Sequence, residues 1–151
     1  MQENEALQNV LDRIYAEQYK SNTNKIDRHH YHELLAELIK ADHVYVVAVT
    51  NHGEDPAKRA RVLMIHYSGM PLTYPFAIIL PSKETADNPE VIAEVNKHID
   101  VDNQTISTVS EPPVPLIHAL LACNSEAGIS INIGRNGILI PYQYLKSMIE
   151  Q

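Results

Sequence analysis

The chain holds one cysteine, one phenylalanine and no tryptophan among its 151 residues. The lone thiol, Cys123, cannot close an internal disulfide, so the fold must rest on packing without covalent staples. Five glycines are too few for a collagen-like or glycine-rich flexible chain. No run approaches the roughly 20 consecutive apolar residues that a membrane-spanning helix requires. Met1-Gln2-Glu3-Asn4-Glu5 is acidic and polar, the opposite of the basic start of an export signal, and a cytoplasmic location is expected. What is present is ordinary globular material, with 44% hydrophobic and 21% charged residues. A chain of this length removes roughly 68–70% of its unfolded surface from water, enough for a self-supporting core, so residues 1–151 are expected to form a single domain.

Cations are also scarce. Twelve Lys and Arg stand against nineteen Asp and Glu, a formal charge of −7. Their one local cluster, Lys58, Arg59 and Arg61 on an expected loop, is too small to displace counterions along a phosphate backbone. Neither nucleic acid nor a membrane is therefore an expected partner. The acidity is concentrated: Glu84, Asp87, Glu90, Glu94, Asp100 and Asp102 share a stretch whose only cations are Lys83 and Lys97. A surface built from these six carboxylates would steer a basic protein partner at low salt.

Hydrophobic spacing sets out the elements. Leu7, Val10, Leu11, Ile14 and Tyr15 fall on one stripe of a helix over about residues 4–19, and Tyr31, Leu34, Leu35, Leu38 and Ile39 repeat the pattern in a second helix capped by Asp27. His43 to Thr50 is β-branched and reads as a buried strand. Asn51 to Pro56 breaks it into a polar loop, Val62 to Tyr67 predicts a second strand, Ser68 to Pro71 a turn, and Phe76 to Leu80 a third strand with Pro75 at its start or on an edge. Asn88-Pro89-Glu90 carries a cap, a first-turn proline and a carboxylate ahead of Val91, Ile92, Val95 and Ile99, which predicts a third helix. Gln104 to Val109 predicts a strand, Glu111 to Pro115 a stiff extended connector, and Leu116, Ile117, Leu120 and Leu121 a fourth helix. Ile129 to Ile133, Gly134-Arg135-Asn136-Gly137 and Ile138 to Ile140 make the strongest hairpin signal, and a last helix from Pro141 buries Tyr144, Leu145 and Met148. The order implies an α+β fold: helices packed on a mixed or antiparallel sheet, two helices first, a C-terminal hairpin and a short helix last.

Candidate chemistry is sparse. His29 and His32 share a helix face at i, i+3 and are weak candidates for a metal, but no thiol or carboxylate follows at ligand spacing and structural zinc takes four ligands, so surface imidazoles are the expectation. His66 and Tyr67, near a strand end, can line a pocket; His43, His52, His98 and His118 are scattered. Cys123 is expected as a small buried hydrophobe, and His118, five residues back, is on a different face of the helix. Glu90 and Glu94 read as the solvent face opposite Val91, Ile92 and Val95. No dinucleotide, phosphate-loop, nucleophile-elbow, zinc-protease or Cys-x-x-Cys motif occurs, and no cofactor or catalytic residue is expected.

Several segments together carry a family likeness. The opening helix pair with Leu34-Leu35-Ala36-Glu37-Leu38, the strand Val44-Tyr45-Val46-Val47, the run Phe76-Ala77-Ile78-Ile79-Leu80-Pro81-Ser82-Lys83-Glu84, and Ile129-Ser130-Ile131-Asn132-Ile133-Gly134 followed by Gly137-Ile138-Leu139-Ile140-Pro141 resemble the N-terminal domain of the enhanced-serine-sensitivity (SseB) family. Family members have Asn-Pro-Gly where this chain reads Asn132-Ile133-Gly134. The resemblance implies a small bacterial-type accessory or protein-interaction domain with no catalytic residues to carry over. Charge alone suggests an alternative, a small acidic immunity or anti-toxin protein. An enzyme reading places a hydrolase or metal-dependent site at His66, Tyr67 and further histidines. Homodimerisation is compatible with the pattern if Val62 to Tyr67 or Phe76 to Leu80 forms a sheet edge.

Overall fold

The structure, a computed structural model, describes residues 4–20, 28–66, 74–134 and 137–149. The two opening helices are α1 (Glu5–Lys20) and α2 (Arg28–Lys40). Their apolar stripes are buried through Leu7, Leu11 and Ile14 on α1 and Leu34, Leu35 and Leu38 on α2. Arg13 ties the pair together, bonding Glu17 within α1 and Glu33 across to α2. Asn4, at a φ of 53°, donates its side-chain amide to the carbonyls of His43 and Pro81, both at 2.7 Å, and so fixes the start of α1 against the ends of two strands.

The sheet is mixed. Its centre is β1 (Val44–Asn51) and β4 (Phe76–Leu80), antiparallel at Tyr45↔Leu80 and Val46↔Ile79. β6 (Gly128–Ile131) adds parallel to β4, and β7 (Ile138–Ile140) closes a hairpin onto β6. On the other side of β1, β5 (Gln104–Glu111) pairs along its whole length. All of β4 is buried, as a strand covered on both faces should be. On one face Val44, Val46, Ala77, Ile79, Ile129 and Ile131 pack beneath α1, α2, α6 (Pro113–Cys123) and α7 (Tyr142–Ile149). On the other, Val47, Val49, Phe76, Ile78 and Leu80 pack with Ala86 of α4 (Lys83–Ala86) and Val91 and Val95 of α5 (Pro89–Asn96). The fold is therefore α+β, with the expected leading helix pair, closing hairpin and final helix.

Four expectations are corrected. The segment read as one strand from Val62 is two short ones, β2 (Arg61–Val62) on β1 and β3 (Met64–Ile65) on β4. The registers run in opposite senses along diverging β1 and β4, so the chain bends at buried Leu63, whose N–H reaches Val47 O at 3.0 Å, and fills the fork between them. Tyr67 and the expected Ser68–Pro71 turn, like Asp27 and the Arg135-Asn136 turn residues, lie outside the described residues. The supposed edge at Phe76 to Leu80 is central, with Pro75 at its start, and among the described residues the strand paired on one side only along eight residues is β5. The supposed connector from Glu111 ends β5 and begins α6. Pro113 and Pro115 sit in the first helical turn, where an absent N–H costs nothing because it would have no partner. Two one-turn helices, α3 (Pro56–Arg59) and α4, also lie where no helix was expected.

Candidate interaction surface

An open groove lies between two proline-started helices, α3 and α6. At α3, Asp55 accepts the N–H of Ala57 at 3.0 Å and Pro56 fills the first helical position, a start signal hidden within a stretch that reads as loop. α6 rises directly from the end of β5 and buries Leu116, Ile117 and Leu120. Between them the sheet has no helical cover. Val46 and Ala48 of β1, Val62 of β2 and Val109 of β5 form the floor, and Ala57, Ala60, Leu116 and Ala119 form the walls of a groove of about 600 Å³. Its charged lining residues are Lys58 on the α3 side and Glu111 on the β5 side. Val46 is 3% exposed, whereas Val109, its register partner, is 39% exposed, so the apolar floor runs out to the sheet edge.

That edge has no protective device within the strand. Neither proline, lysine nor arginine occurs in β5, and its eight-residue pairing with β1 runs without a bulge. The turn before it is anchored by Asp100, which accepts from the Asp102 N–H at 3.2 Å and the Asn103 side chain at 2.7 Å, while His52 Nε2 lies 3.0 Å from Thr105 Oγ1.

The acidic set lies on α4, α5 and this turn. Glu84, Asp87, Glu90, Asp100 and Asp102 are exposed and Glu94 is half-buried. Glu94 is paired with Lys97 at 2.7 Å and Asp100 is engaged in the turn, so the carboxylates facing water without these ties are Glu84, Asp87, Glu90 and Asp102. Of the basic trio, Lys58 and Arg59 close α3, and Arg61 begins β2, 3.7 Å from Glu54 and 3.4 Å from the Asn51 side-chain oxygen that Gln104 also bonds.

The histidines do not converge. His29 is exposed, its ring centroid 4.1 Å from that of His30, and His30 Nε2 lies 2.7 Å from Glu17 Oε2. That hydrogen bond, with Arg13 adding to it, holds the Glu17 carboxyl below its ordinary range. His32 turns to the other helix, edge-on to Tyr144 at 6.4 Å. Among the described residues no group of three or more His, Cys, Asp and Glu is placed to hold a metal ion. His66 follows β3 and is exposed. Cys123 is exposed, against the expectation of burial, because it closes α6 one turn beyond Leu120, where the chain leaves through Asn124.

A second, shallower depression of about 480 Å³ gathers Arg28, His32, Tyr74, Gln143, Tyr144 and Ser147 beside α7. Its tyrosines belong to a packed aromatic group: Tyr31 stacks on Tyr144 at 4.3 Å, and Tyr74 meets Tyr142 edge-on at 5.0 Å. Burial, then Tyr144 and Tyr74, push the Tyr31 phenol up to about 12, and burial and Tyr142 raise Tyr74. Phenols held in this way stay protonated at neutral pH and act as packing groups, not as bases. Among the described residues no helix is long and apolar enough to cross a membrane. Comparison with family models, with curated proteins and with solved structures gives no match.

Proposed function

We propose that the chain is a non-enzymatic accessory domain of the SseB-like class that works in the cytoplasm by binding another protein. The observation that supports this most is the groove floored by Val46, Ala48, Val62 and Val109: it is apolar, open and continuous with an unprotected strand edge. An exposed apolar patch rimmed by charge is the kind of surface that buries against a partner chain. The carboxylates Glu84, Asp87, Glu90 and Asp102, with Glu94 and Asp100 beside them, favour a basic partner by steering its approach. An anti-toxin role, with a basic toxin as partner, is one form of the same reading.

The test places a photo-reactive phenylalanine at Ala119 in the groove wall, at Glu90 on the acidic flank, and at exposed Ala16 on α1 as a control. In cells of the source organism, discrete adducts with another polypeptide are expected from Ala119 or Glu90 and not from Ala16. Equal, diffuse labelling from all three positions would remove the binding reading.

A further inference from the structure

We propose that β5 pairs with β5 of a second copy of this chain, antiparallel about a two-fold axis normal to the sheet through Ser107. The inference stands apart from the groove-partner reading and begins with the direction of the backbone groups. The His52 N–H donates to the Asn103 carbonyl at 2.7 Å, in phase with the β1–β5 register, and on the opposite side of β1 the Val47 carbonyl accepts from Leu63. Ladder bonds in an antiparallel pair alternate, so Thr105, Ser107 and Val109 bond to β1 while the N–H and C=O groups of Ile106, Thr108 and Ser110 and the C=O of Gln104 point outward, the Gln104 N–H being taken by the Asp100 carbonyl at 2.7 Å. Those outward groups form a template for one more strand.

The strand is complementary to itself. A two-fold normal to the sheet keeps each face continuous, so residues opposite one another must have the same parity. Two axes meet this condition with equal seven-residue overlaps, through Ser107 and through Thr108; the second would pair Glu111 with Thr105, whereas the first leaves Glu111 at the end and puts Ser107 opposite Ser107, Ile106 opposite Thr108, Thr105 opposite Val109 and Gln104 opposite Ser110. Thr105 to Ser110 carries no charge, so no like charges meet, and β-branched residues face each other along both faces. At the ends Glu111 falls opposite the Asn103 amide, and Asp102 falls opposite Pro112, where pairing stops. A basic partner would find no carboxylate between Thr105 and Ser110. Two bodies of charge −7 repel until salt screens them, so this association should tighten as salt rises, whereas capture of a basic partner should weaken.

Sedimentation velocity of the full chain across the micromolar range is expected to show a monomer–dimer equilibrium that shifts toward dimer with added salt. Thr108→Pro removes an outward N–H and leaves the β1 ladder intact, and it should weaken dimerisation by at least about tenfold. If that variant fails to fold, Ser107→Lys sets two cations face to face on the axis and should do the same. In a Cys123→Ser background, Ser107→Cys should form an intermolecular disulfide on mild oxidation. The facing residues there do not exchange hydrogen bonds, and their Cα atoms approach to about 4.5 Å. Thr108→Cys, on the opposite face, should not cross-link. A chain that stays monomeric throughout, or a dimer that survives these substitutions and does not cross-link at Ser107, overturns the proposal. Either result leaves the photo-adduct test of the groove unaffected.

Discussion

Tyr31 shows how a single side chain acquires a property that its own spacing does not announce. The helical stripe marks it as core-facing, and burial, with Tyr144 of α7, 113 positions along the chain, and then Tyr74 adding to it, raises its phenol to about 12. The folded state therefore holds its proton above pH 10, where the unfolded chain has begun to lose it. The resulting stabilisation is fully present below pH 10 and is lost as pH rises from about 10 to about 12. Tyr31→Phe should flatten the fall in melting temperature across that window relative to the parent chain. An unchanged alkaline slope would mean that the phenol is not held as described. Cys123 is the opposite case: its residue type and the preceding Leu120-Leu121-Ala122 suggest burial, but it occupies the last position of α6, past the reach of the sheet.

At the level of elements, local chemistry was legible where a cap and a periodic stripe coincide. Asn88 accepts the N–H groups of Glu90 at 2.8 Å and Val91 at 3.4 Å, Pro89 starts the turn, and Val91 and Val95 go inward as α5. Asn88→Ala should cost about 1 kcal/mol, read as a lower urea midpoint at constant slope, and Asn88→Asp should restore most of it. The same grammar at Asp55-Pro56 and Ser82 does not stand out as a helix start, because α3 and α4 are one turn each and leave no periodic stripe. The closing hairpin was legible in its strands, yet its exit depends on contacts that no turn rule contains. Gly134 has a φ of 82° and a side chain there would meet the Val91 Cα at 2.9 Å, so glycine is required both by the backbone and by the approach of α5.

In the whole molecule the two apolar layers share one central strand. Ala77 and Ile79 of β4 belong to the layer under α1, α2, α6 and α7, whereas Phe76, Ile78 and Leu80 belong to the layer under α4 and α5. The layers should therefore unfold together. Ile78→Val, a small truncation at a fully buried site, should cost about 1 kcal/mol. Native-state hydrogen exchange should show the slowest amides of α1, on the opposite face, losing the same free energy as those of β4. Protection lost on only one face would separate the layers. The sequence by itself determined the main helices and strands, and with them the α+β class, because periodicity and capping are local physics. Only the tertiary structure decided that β4 is central, that Arg61 to Ile65 plugs a fork, and that β5 is an open edge beside an apolar groove. Strand order and edge exposure are settled by hydrogen bonds between residues far apart in the chain, and alternation along one strand carries no record of its neighbours.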